Sequence, residues 1–405
     1  MTLTKTIPFS FLIFLIMLSS CTKVKEEPAK QWYKGNLHTH SLWSDGDDYP
    51  EMIMDWYKTN GYHFVGLSDH NVFQEGEKWV KVPQAPVRRD AFQEYLGRFG
   101  EDWVEYEQIE DTLRVKLKTL AAYDTMFNEP ERFLIIKSEE ITDQYENKPV
   151  HLNATNLVNL VEPQGGGSIV NVMQNNIDAV LAQREATGQP MFPHLNHPNF
   201  GWAITAEDMM QLTGERFFEV YNGHPAVNNY GDSTRMGTEE MWDRINLHYI
   251  QNGQPLLYGL ATDDSHNYHL TGPLYSNTGR GWVMVHASEL NADTLINAME
   301  AGDFYATTGV TLSSVEQTDK SIEVKVEPEA GVQYTIQFIG VPQNSNDPSI
   351  LSEVKDTVAS YQITNEIFVR AKVISDKRQI NPFQNGDMET AWTQPVLNGD
   401  LRMEK

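Results

Sequence analysis

Short apolar runs that end in histidine or carboxylate side chains recur along this chain, with helical segments between them. Strands are predicted at residues 36–40, 63–67, 133–136, 191–192, 217–221 and 256–260. Helices are predicted at residues 50–60, 168–187, 205–213 and 238–252, each followed by a glycine that suits a helix end. Alternating strands and helices predict a parallel α/β sheet or barrel. In such folds the chemistry gathers where strands end.

The length and charge of the chain limit what it does. Its 405 residues suffice for one large domain and a smaller one. The formal net charge is -25. Such a surface repels phosphate backbones, so no nucleic-acid partner is expected.

The N-terminus predicts an exported lipoprotein. An apolar run at residues 7–18 has the length of a signal-peptide core and is short for a membrane span. It ends in Leu18-Ser19-Ser20-Cys21, which resembles the lipobox in which a lipidated cysteine becomes the first mature residue. We therefore expect a signal peptide at 1–21, a lipid on Cys21 that anchors the protein to a bacterial membrane, and a tether at 22–33. A cleaved signal with an incidental cysteine is the alternative. Cys21 is the only cysteine, which excludes an intrachain disulfide.

Two further regions are set apart by their patterns. Residues 73–130 form a long insertion, helical at about 108–127, that serves either as a lid or wall or as plain packing. After Gly309, β-rich runs at 321–326, 334–339, 358–363 and 367–373 predict a small antiparallel β domain at 311–405. This region contains no histidine, so no chemistry is expected there.

His38-Thr39-His40 is the first sign of a metal site, because residues i and i+2 of a strand point to the same face. Seven more candidate ligands follow at or near strand ends: Asp45, His70, Glu140, His151, His197, Asp264 and His266. Burying so many ionisable groups is unfavourable unless they are paired or bind metal. The set therefore predicts bound metal ions.

The motifs HTH, SDG, SDHN, EEIT, HLN, NHP and TDDSH, in this order, resemble the PHP (polymerase and histidinol phosphatase) superfamily. The chain is most similar to the branch that includes a carbamate-insecticide hydrolase. The motifs cover about residues 34–310. The resemblance implies an α/β fold, a distorted (β/α)7 barrel of PHP type, with two or three divalent metal ions.

The resemblance also implies a ligand set. One ion would be held by His38, His40, Glu140 and Asp264. A second would be held by Glu140, His151 and His197. A third would be held by Asp45, His70 and His266, although many members have a histidine where Asp45 stands, which leaves occupancy of this site open. Asp69 would orient its neighbours.

Several roles stay open at this point. Glu139 competes with Glu140, which is favoured because it precedes Ile141-Thr142 as the family's glutamate does. His194 competes with His197, which precedes proline as in the family's motif; His194 would then orient a ligand or face the substrate. His224 is a candidate for the pocket lining, so Asp69, His194 and His224 are the candidate catalytic residues. Asp263 is expected to be structural. The remaining histidines are expected in packing or at the surface: His63, His248, His269 and His286.

These features predict a metal-dependent hydrolase with a small-molecule substrate. Bound metal ions lower the pKa of water to about 7, so a hydroxide that they generate would take the place of a serine or cysteine nucleophile. No GxSxG or P-loop sequence is present. Mixed nitrogen and oxygen ligands suit Zn, Mn or Fe. The first hypothesis is a phosphoesterase for a small phosphate ester. The second is hydrolysis of a carboxylic or carbamic ester or an amide by the same metals. The third is a non-catalytic metal-binding lipoprotein.

Overall fold

The computed structural model describes residues 1–2 and 29–403. The predicted signal peptide, the lipidated Cys21 and most of the tether lie outside these residues and stay predictions. Within the described ranges, none of the helices combines the length and the apolar character that a bilayer crossing requires.

The helices arise largely where sequence signals predict them. Ser168 caps α4 by accepting a hydrogen bond from the Asn171 amide, and Gly188 ends it in the left-handed conformation. The helix predicted at 205–213 is shorter: a capping box between Thr205 and Asp208 begins it, but it ends after one turn. The helices are α1 Pro50–Thr59, α2 Pro86–Phe99, α3 Leu120–Phe127, α4 Ile169–Thr187, α5 Ala206–Met209, α6 Thr238–Gln251 and α7 Ala292–Glu300, followed by a terminal 3-10 turn, Gly399–Met403.

Twenty strands complete the described part of the chain. They are β1 Gln31–Asn36, β2 Phe64–Leu67, β3 Trp79–Lys81, β4 Tyr106–Ile109, β5 Thr112–Lys116, β6 Leu134–Tyr145, β7 Lys148–Thr155, β8 Phe192–Leu195, β9 Phe217–Asn222, β10 Tyr258–Thr262, β11 Trp282–Ala287, β12 Phe304–Thr307, β13 Leu312–Thr318, β14 Ser321–Val326, β15 Tyr334–Pro342, β16 Ser349–Val354, β17 Val358–Gln362, β18 Glu366–Arg378, β19 Met388–Thr393 and β20 Val396–Leu397.

A mixed sheet of 14 strands dominates the fold. Its order is β10-β9-β8-β7-β6-β2-β1-β11-β12-β19-β18-β15-β16, with β20 paired to β18. The sequence predicted a parallel sheet, but the observed sheet also contains antiparallel pairs. β6 and β7 form an antiparallel hairpin, and β8 runs antiparallel to β7. The short connection between β6 and β7 is the reason, because a parallel pair would need a longer crossover.

Main-chain contacts bring the ends of β1 and β10 together. Thr39 forms a parallel bridge with Ser265. The His40 amide donates to the Ser265 carbonyl at 3.0 Å, and the Asp264 amide donates to the His38 carbonyl at 3.0 Å. Seven strands, β1, β2 and β6–β10, therefore form an arc whose two ends meet just beyond the strands. A closed barrel remains a prediction at this point.

The insertion differs from the helix predicted at 108–127. β4 and β5 form a hairpin that, with β3, makes a three-stranded sheet, and only α3 is helical. The physical reason is the two-residue period of β5, in which Leu113 and Val115 are buried and their neighbours are not. Leu113 and Val115 share an apolar cluster with Trp43 and Tyr49. The insertion thus supports the loop that carries Asp45.

The C-terminal strands are antiparallel, as predicted, but they do not form one small sheet. β13, β14 and β17 make a separate three-stranded sheet, while β15, β16, β18, β19 and β20 belong to the large one through the pairing of β19 with β12. One apolar cluster, including Ile322, Val324, Phe338 and Ala371, joins the two sheets. This arrangement leaves the domain boundary at 310–311 a prediction.

Candidate metal centre

Nine of the predicted ligands converge near the ends of β1, β2, β6, β7, β8 and β10. His38 and His40 lie on the extended segment after β1, not within the strand, and His70 follows β2. Glu140 and His151 face each other from within the β6–β7 hairpin, whose paired residues are Glu140 with Asn153 and Thr142 with His151. The long hairpin therefore brings donors from the sequence middle to the place where the other strands end.

The first donor group consists of His38, His40, Glu140 and Asp264. The two Nε2 atoms of His38 and His40 are 3.1 Å apart. Asp264 Oδ1 lies 3.2 Å from His38 Nε2 and 3.4 Å from His40 Nε2. Glu140 Oε1 lies 3.6 Å from His38 Nε2, and Glu140 Oε2 lies 3.4 Å from His40 Nε2. Both carboxylates thus lie close to the paired Nε2 atoms of His38 and His40.

The second group shares Glu140 with the first. Glu140 Oε1 lies 3.1 Å from His151 Nδ1 and 3.5 Å from His197 Nε2. His197 also approaches the first group, with its Nε2 atom 4.0 Å from Asp264 Oδ2. Glu140 therefore stands between two groups, as a bridging carboxylate would.

The third group consists of Asp45, His70 and His266, with His40 beside them. Asp45 Oδ1 lies 3.3 Å from His70 Nε2, 3.3 Å from His266 Nε2 and 3.8 Å from His40 Nδ1. The other ring nitrogen of His70 faces Glu140 and the Thr142 hydroxyl. Asp45 thus stands where the motif places it, with two imidazoles turned towards it.

The spacing of these donors fits metal coordination. Zinc bonds to nitrogen and oxygen of about 2.0–2.2 Å in a tetrahedral site separate neighbouring donor atoms by roughly 3.3 Å. In the first group the separations range from 3.1 to 3.6 Å. Glu140 Oε2 and His151 Nδ1 are buried and make no hydrogen bond of good geometry with any described residue, although His70 Nδ1 lies 2.7 Å from the first atom and Glu140 Oε1 lies 3.1 Å from the second. Such atoms are unfavourable unless something else satisfies them, and a cation would do so.

The electrostatics of the donor groups couple protons to the buried carboxylates. Burial would raise the pKa of Glu140, but the charges of His70, His151 and His38 outweigh it and hold this pKa well below the usual value. Neighbouring carboxylates in turn outweigh burial and raise the pKa of His38 and His70, whereas burial lowers the pKa of His40 to about 3. A bound cation would displace the protons on His38 and His70, because a neutral imidazole and an ionised carboxylate are the forms that bind metal.

Two of these residues have unusual backbone conformations. His197 has φ of 21° and Asp264 has φ of 48°, in the left-handed region that residues other than glycine seldom adopt. Such conformations cost about 1–3 kcal/mol each and gather at functional sites. The fold therefore accepts local strain where it aims these two side chains.

The alternatives left open by the sequence have distinct positions. Glu139 points away from the donor groups, and its Oε1 accepts the Val161 amide at 2.8 Å. Asp263 is fully buried and accepts the amides of Gly279, Arg280 and Gly281. It therefore holds a main-chain turn, as a structural residue does. His63, His248, His269 and His286 do not belong to any donor group among the described residues.

The three candidate catalytic residues lie at different positions relative to the donor groups. Asp69 contacts no candidate ligand through its carboxylate; it accepts hydrogen bonds from Ser41, Ser44 and Gln74 and so fixes the loop between His40 and Asp45. His194 is fully buried, with its Nε2 atom 3.7 Å from Glu219 Oε1. It therefore does not face a substrate, and Asp69 and His194 fit orienting roles better than catalytic ones.

His224 lies at the rim of the centre. It is half-buried, and its ring centroid is 5.7 Å from that of His266. Its Nδ1 atom accepts the Ala226 amide at 3.1 Å, which leaves the hydrogen of the neutral ring on Nε2. Burial lowers the pKa of His224 to about 4, although the charge of Asp264 raises it. The neutral ring can therefore donate a hydrogen bond through Nε2.

Sequence reasoning assigned no role to three residues that the structure places at the centre. Glu219 and Asn222 lie on β9 behind the ligands, and Phe200 lies at the rim beside His197. A glutamate inside the apolar run Phe-Phe-Glu-Val-Tyr was the available signal for Glu219, because an unpaired buried carboxylate is unfavourable. No comparable signal marked Phe200.

A site that binds phosphate commonly contains arginine or lysine, but Arg88, Lys137 and Arg280 do not contact the donor groups. Arg88 pairs with Asp47, and Lys137 pairs with Glu75. Arg280 is buried and donates to the carbonyls of Gly223, Gly272, Tyr275 and Asn381. Across the described ranges, no lysine or arginine forms an ion pair with Asp45, Glu140 or Asp264. Positive charge at this centre would therefore come from protonated imidazoles or from bound metal.

Comparisons with known proteins give only distant likenesses. No protein-family model matches the chain, and no curated protein matches it. One similar solved structure is a two-domain protein from Bacteroides vulgatus that contains a predicted PHP-like metal-dependent phosphoesterase; it is 13% identical, covers 88% of this chain and 93% of its own, and has a TM-score of 0.39.

Two other solved structures are similar over a smaller share of the chain. A candidate metal-dependent phosphoesterase from Bifidobacterium adolescentis is 12% identical over 60% of this chain and 89% of its own, with a TM-score of 0.28. An amidohydrolase from Chromobacterium violaceum, with bound sulfate and no metal, is 12% identical over 57% and 87%, with a TM-score of 0.29. Likenesses this weak carry no argument about the chemistry of this chain, which rests on its own donor groups.

Proposed function

We propose that this protein is a metal-dependent hydrolase that holds up to three divalent ions. The observation that carries the proposal is the first donor group, in which Glu140 and Asp264 from distant segments both lie 3.2–3.6 Å from the paired Nε2 atoms of His38 and His40. His38, His40, Glu140 and Asp264 would hold one ion, with Glu140 shared. Glu140, His151 and His197 would hold a second, and Asp45, His70 and His266 a third. Zn, Mn or Fe suits these donors.

We also propose a PHP-type architecture, in which β1, β2 and β6–β10 close into a distorted seven-stranded barrel. The bridge between Thr39 and Ser265 supports this closure, because it joins the segments that follow the first and last of these strands. Export with a lipid on Cys21 remains part of the proposal and is supported by the lipobox-like sequence.

The bound ions, His224 and Asp69 would each have a separate role in the reaction. Divalent ions, when bound, lower the pKa of water and offset the negative charge that develops on ester oxygens. His224 would donate a hydrogen bond from Nε2 to an oxygen of the substrate, since its Nδ1 atom is already an acceptor. Asp69 would keep His40 and Asp45 in place through the loop between them. No serine or cysteine nucleophile is required.

A small phosphate ester is the substrate class we favour. Three divalent ions bring about six positive charges, against three carboxylates in the donor groups (Asp45, Glu140 and Asp264) and the carboxylate of Glu219 behind them. The balance of about two positive charges would attract a phosphate dianion even without arginine or lysine. The carbonyl alternative, a carboxylic or carbamic ester or an amide, is favoured by one observation: the ion-pair partners of these carboxylates in the described part of the chain are histidines, and none is a lysine or arginine.

The test combines metal analysis with a substrate panel. The purified full chain should carry transition metal and hydrolyse an aryl phosphate. Chelator should abolish the activity, and added metal should restore it. Activity confined to aryl esters or carbamates would contradict the phosphoesterase proposal and support hydrolysis of carboxylic or carbamic esters. Bound metal without turnover of any ester would indicate a non-catalytic metal-binding lipoprotein.

Replacement of both His38 and His40 by alanine should remove at least one ion per chain. His286→Ala is the matched control, because His286 stacks on Trp32 away from the donor groups and should leave metal content unchanged. Full metal content and full rate in the His38 and His40 double variant would refute the assignment.

A further inference from the structure

Glu219 is a fully buried carboxylate on β9, a strand that is otherwise almost entirely apolar. It lies behind His38, on the side of the ring opposite to the first donor group. His38 Nδ1 is 2.7 Å from Glu219 Oε1, while His38 Nε2 faces Asp264 and His40. A carboxylate in this position fixes which ring nitrogen carries the hydrogen.

The same carboxylate accepts hydrogen bonds at both oxygens. Oε1 accepts the Thr262 hydroxyl at 2.7 Å in addition to His38. Oε2 accepts the main-chain amide of His197 at 2.8 Å and the Asn222 side-chain amide at 2.8 Å. Four donors surround one buried acid, so its charge is well compensated.

These contacts connect Glu219 to ligands of both the first and the second donor group. Through His38, Glu219 orients a ligand of the first group. Through the His197 amide, it supports a ligand of the second group at the residue whose φ is 21°. Asn222 extends the network, since its amide also donates to Asp264 Oδ2 at 3.1 Å.

Glu219, His38 and His194 lie near enough together to be considered as a separate cation site. The distances argue against it. Donor atoms around a tetrahedral ion of this kind are roughly 3.3 Å apart, whereas Glu219 Oε1 and His38 Nδ1 are 2.7 Å apart, which is the length of a charge-assisted hydrogen bond. His38 also has its other nitrogen in the first donor group. Glu219 is therefore a partner of a ligand rather than a ligand.

We propose that Glu219 is a positioning residue of the metal centre that aligns His38 and His197 for the first two ions. This inference rests on the proposed metal-binding function. The carboxylate keeps hydrogen on His38 Nδ1, so that the Nε2 lone pair points at the first donor group, and it raises the basicity of that imidazole. Removing such a partner typically weakens metal binding about 10–100-fold.

Glu219→Gln tests the proposal, because it removes the charge while keeping the size of the side chain. The affinity of the full chain for Zn²⁺ would be measured by competition with a chromophoric chelator, and the absorption of the Co²⁺-loaded protein would be recorded. We expect affinity to fall about 10–100-fold, with shifted Co²⁺ bands because the donor strength of His38 changes. An affinity and a Co²⁺ spectrum equal to those of the wild type would overturn the proposal.

Glu215→Gln is the matched control. Glu215 is also buried and precedes β9, but it accepts only the amides of Arg216 and Phe217 and has no contact with a candidate ligand. The affinity of the Glu215→Gln variant for Zn²⁺ should equal that of the wild type. An equal loss in both variants would show that any buried glutamate beside this strand matters, and would overturn a specific role for Glu219.

Thr262→Val provides a second variant if Glu219→Gln does not fold. It removes one hydroxyl donor to Oε1 and keeps the side-chain shape. A weakening of roughly threefold is expected from the loss of one hydrogen bond, and an unchanged affinity would count against the proposal. A wild-type protein that binds no metal would instead refute the proposed function itself, so the two failures are distinguishable.

Discussion

Phe200 is an apolar side chain at the rim of the metal centre. Its ring centroid lies 5.1 Å from that of His197, 6.4 Å from His151 and 5.7 Å from His224. The ring is only partly buried, so part of it is accessible from solvent. This position suits contact with an apolar or aromatic part of a substrate.

Phe200→Ala should therefore raise KM for an aryl ester while changing kcat little. The lost contact is worth about 0.5–1.5 kcal/mol, which corresponds to roughly a 2–13-fold change. A short alkyl ester with the same reacting group is the control substrate and should show no such change. Equal KM values for wild type and variant on the aryl ester would remove Phe200 from the substrate-binding surface.

Glu215 is a buried acid away from the donor groups. Its Oε1 accepts two amides, while Oε2 has no hydrogen-bond partner among the described residues. Burial raises the pKa of Glu215 from 4.5 to about 8, against the two amide hydrogen bonds, which lower it. The folded state therefore retains a proton that the unfolded chain releases at lower pH.

This pKa sets the sign of a pH effect on stability. The contribution of Glu215 is complete below about pH 4.5 and is lost as the pH rises to about 8. Glu215→Gln mimics the protonated acid, so the variant should melt about 2 °C or more above the wild type at pH 9 and at nearly the same temperature at pH 5. Thermal unfolding at both pH values checks this, and a difference that did not depend on pH would contradict it.

The first two strands approach each other unusually closely. Gly35 on β1 is paired with Phe64 on β2, and any Cβ at position 35 would overlap the Phe64 ring. The glycine therefore reflects a steric need of the sheet rather than a turn. It sits just before the segment that carries His38 and His40.

Gly35→Ala should destabilise the protein by about 1–3 kcal/mol, because the core is overpacked at this point. Shortening the ring in a Gly35→Ala, Phe64→Leu double variant should recover part of the loss. Gly97→Ala in α2 is the control, since nothing lies within 4 Å of the added Cβ and alanine favours the helix. Urea unfolding measures all three, and a stable Gly35→Ala variant would contradict the close packing.

A buried ion pair ties the C-terminal strands to the larger part of the molecule. Arg370 on β18 forms a bidentate pair with Asp243 on α6, with distances of 2.6 and 2.7 Å. Arg370 is 1% exposed, and its guanidinium lies 4.8 Å from the Trp242 ring. Together with the β12–β19 pairing, this contact holds the C-terminal strands against the preceding part of the chain.

Arg370→Ala should lower the free energy of unfolding by about 3–5 kcal/mol, because Asp243 would be left buried without its partner. Replacing both residues, as Arg370→Met with Asp243→Leu, should cost much less. The exposed Arg244 on the same helix serves as control, with an expected loss of about 0.5 kcal/mol on mutation to alanine. A small effect of Arg370→Ala in urea unfolding would show that the pair does not join the two regions.

The sequence alone predicted the candidate donors and the helices α1, α4 and α6 between them. Imidazoles and carboxylates are seldom buried without partners, and the resemblance of their motifs to a known superfamily indicated His38, His40, Glu140 and Asp264. Capping signals such as Ser168 and Gly188 fixed α4 for a local reason, because they act within one turn of the helix end.

Only the tertiary structure decided how these donors group and what stands behind them. The hairpin of β6 and β7, the sheet shared with the C-terminal strands, and the contacts of Glu219 all depend on residues far apart in the chain. The propensity of a segment to form a strand does not specify which other strand it pairs with, because the same residues favour a strand beside any neighbour. The position of Phe200 and the burial of His194 were decided in the same way.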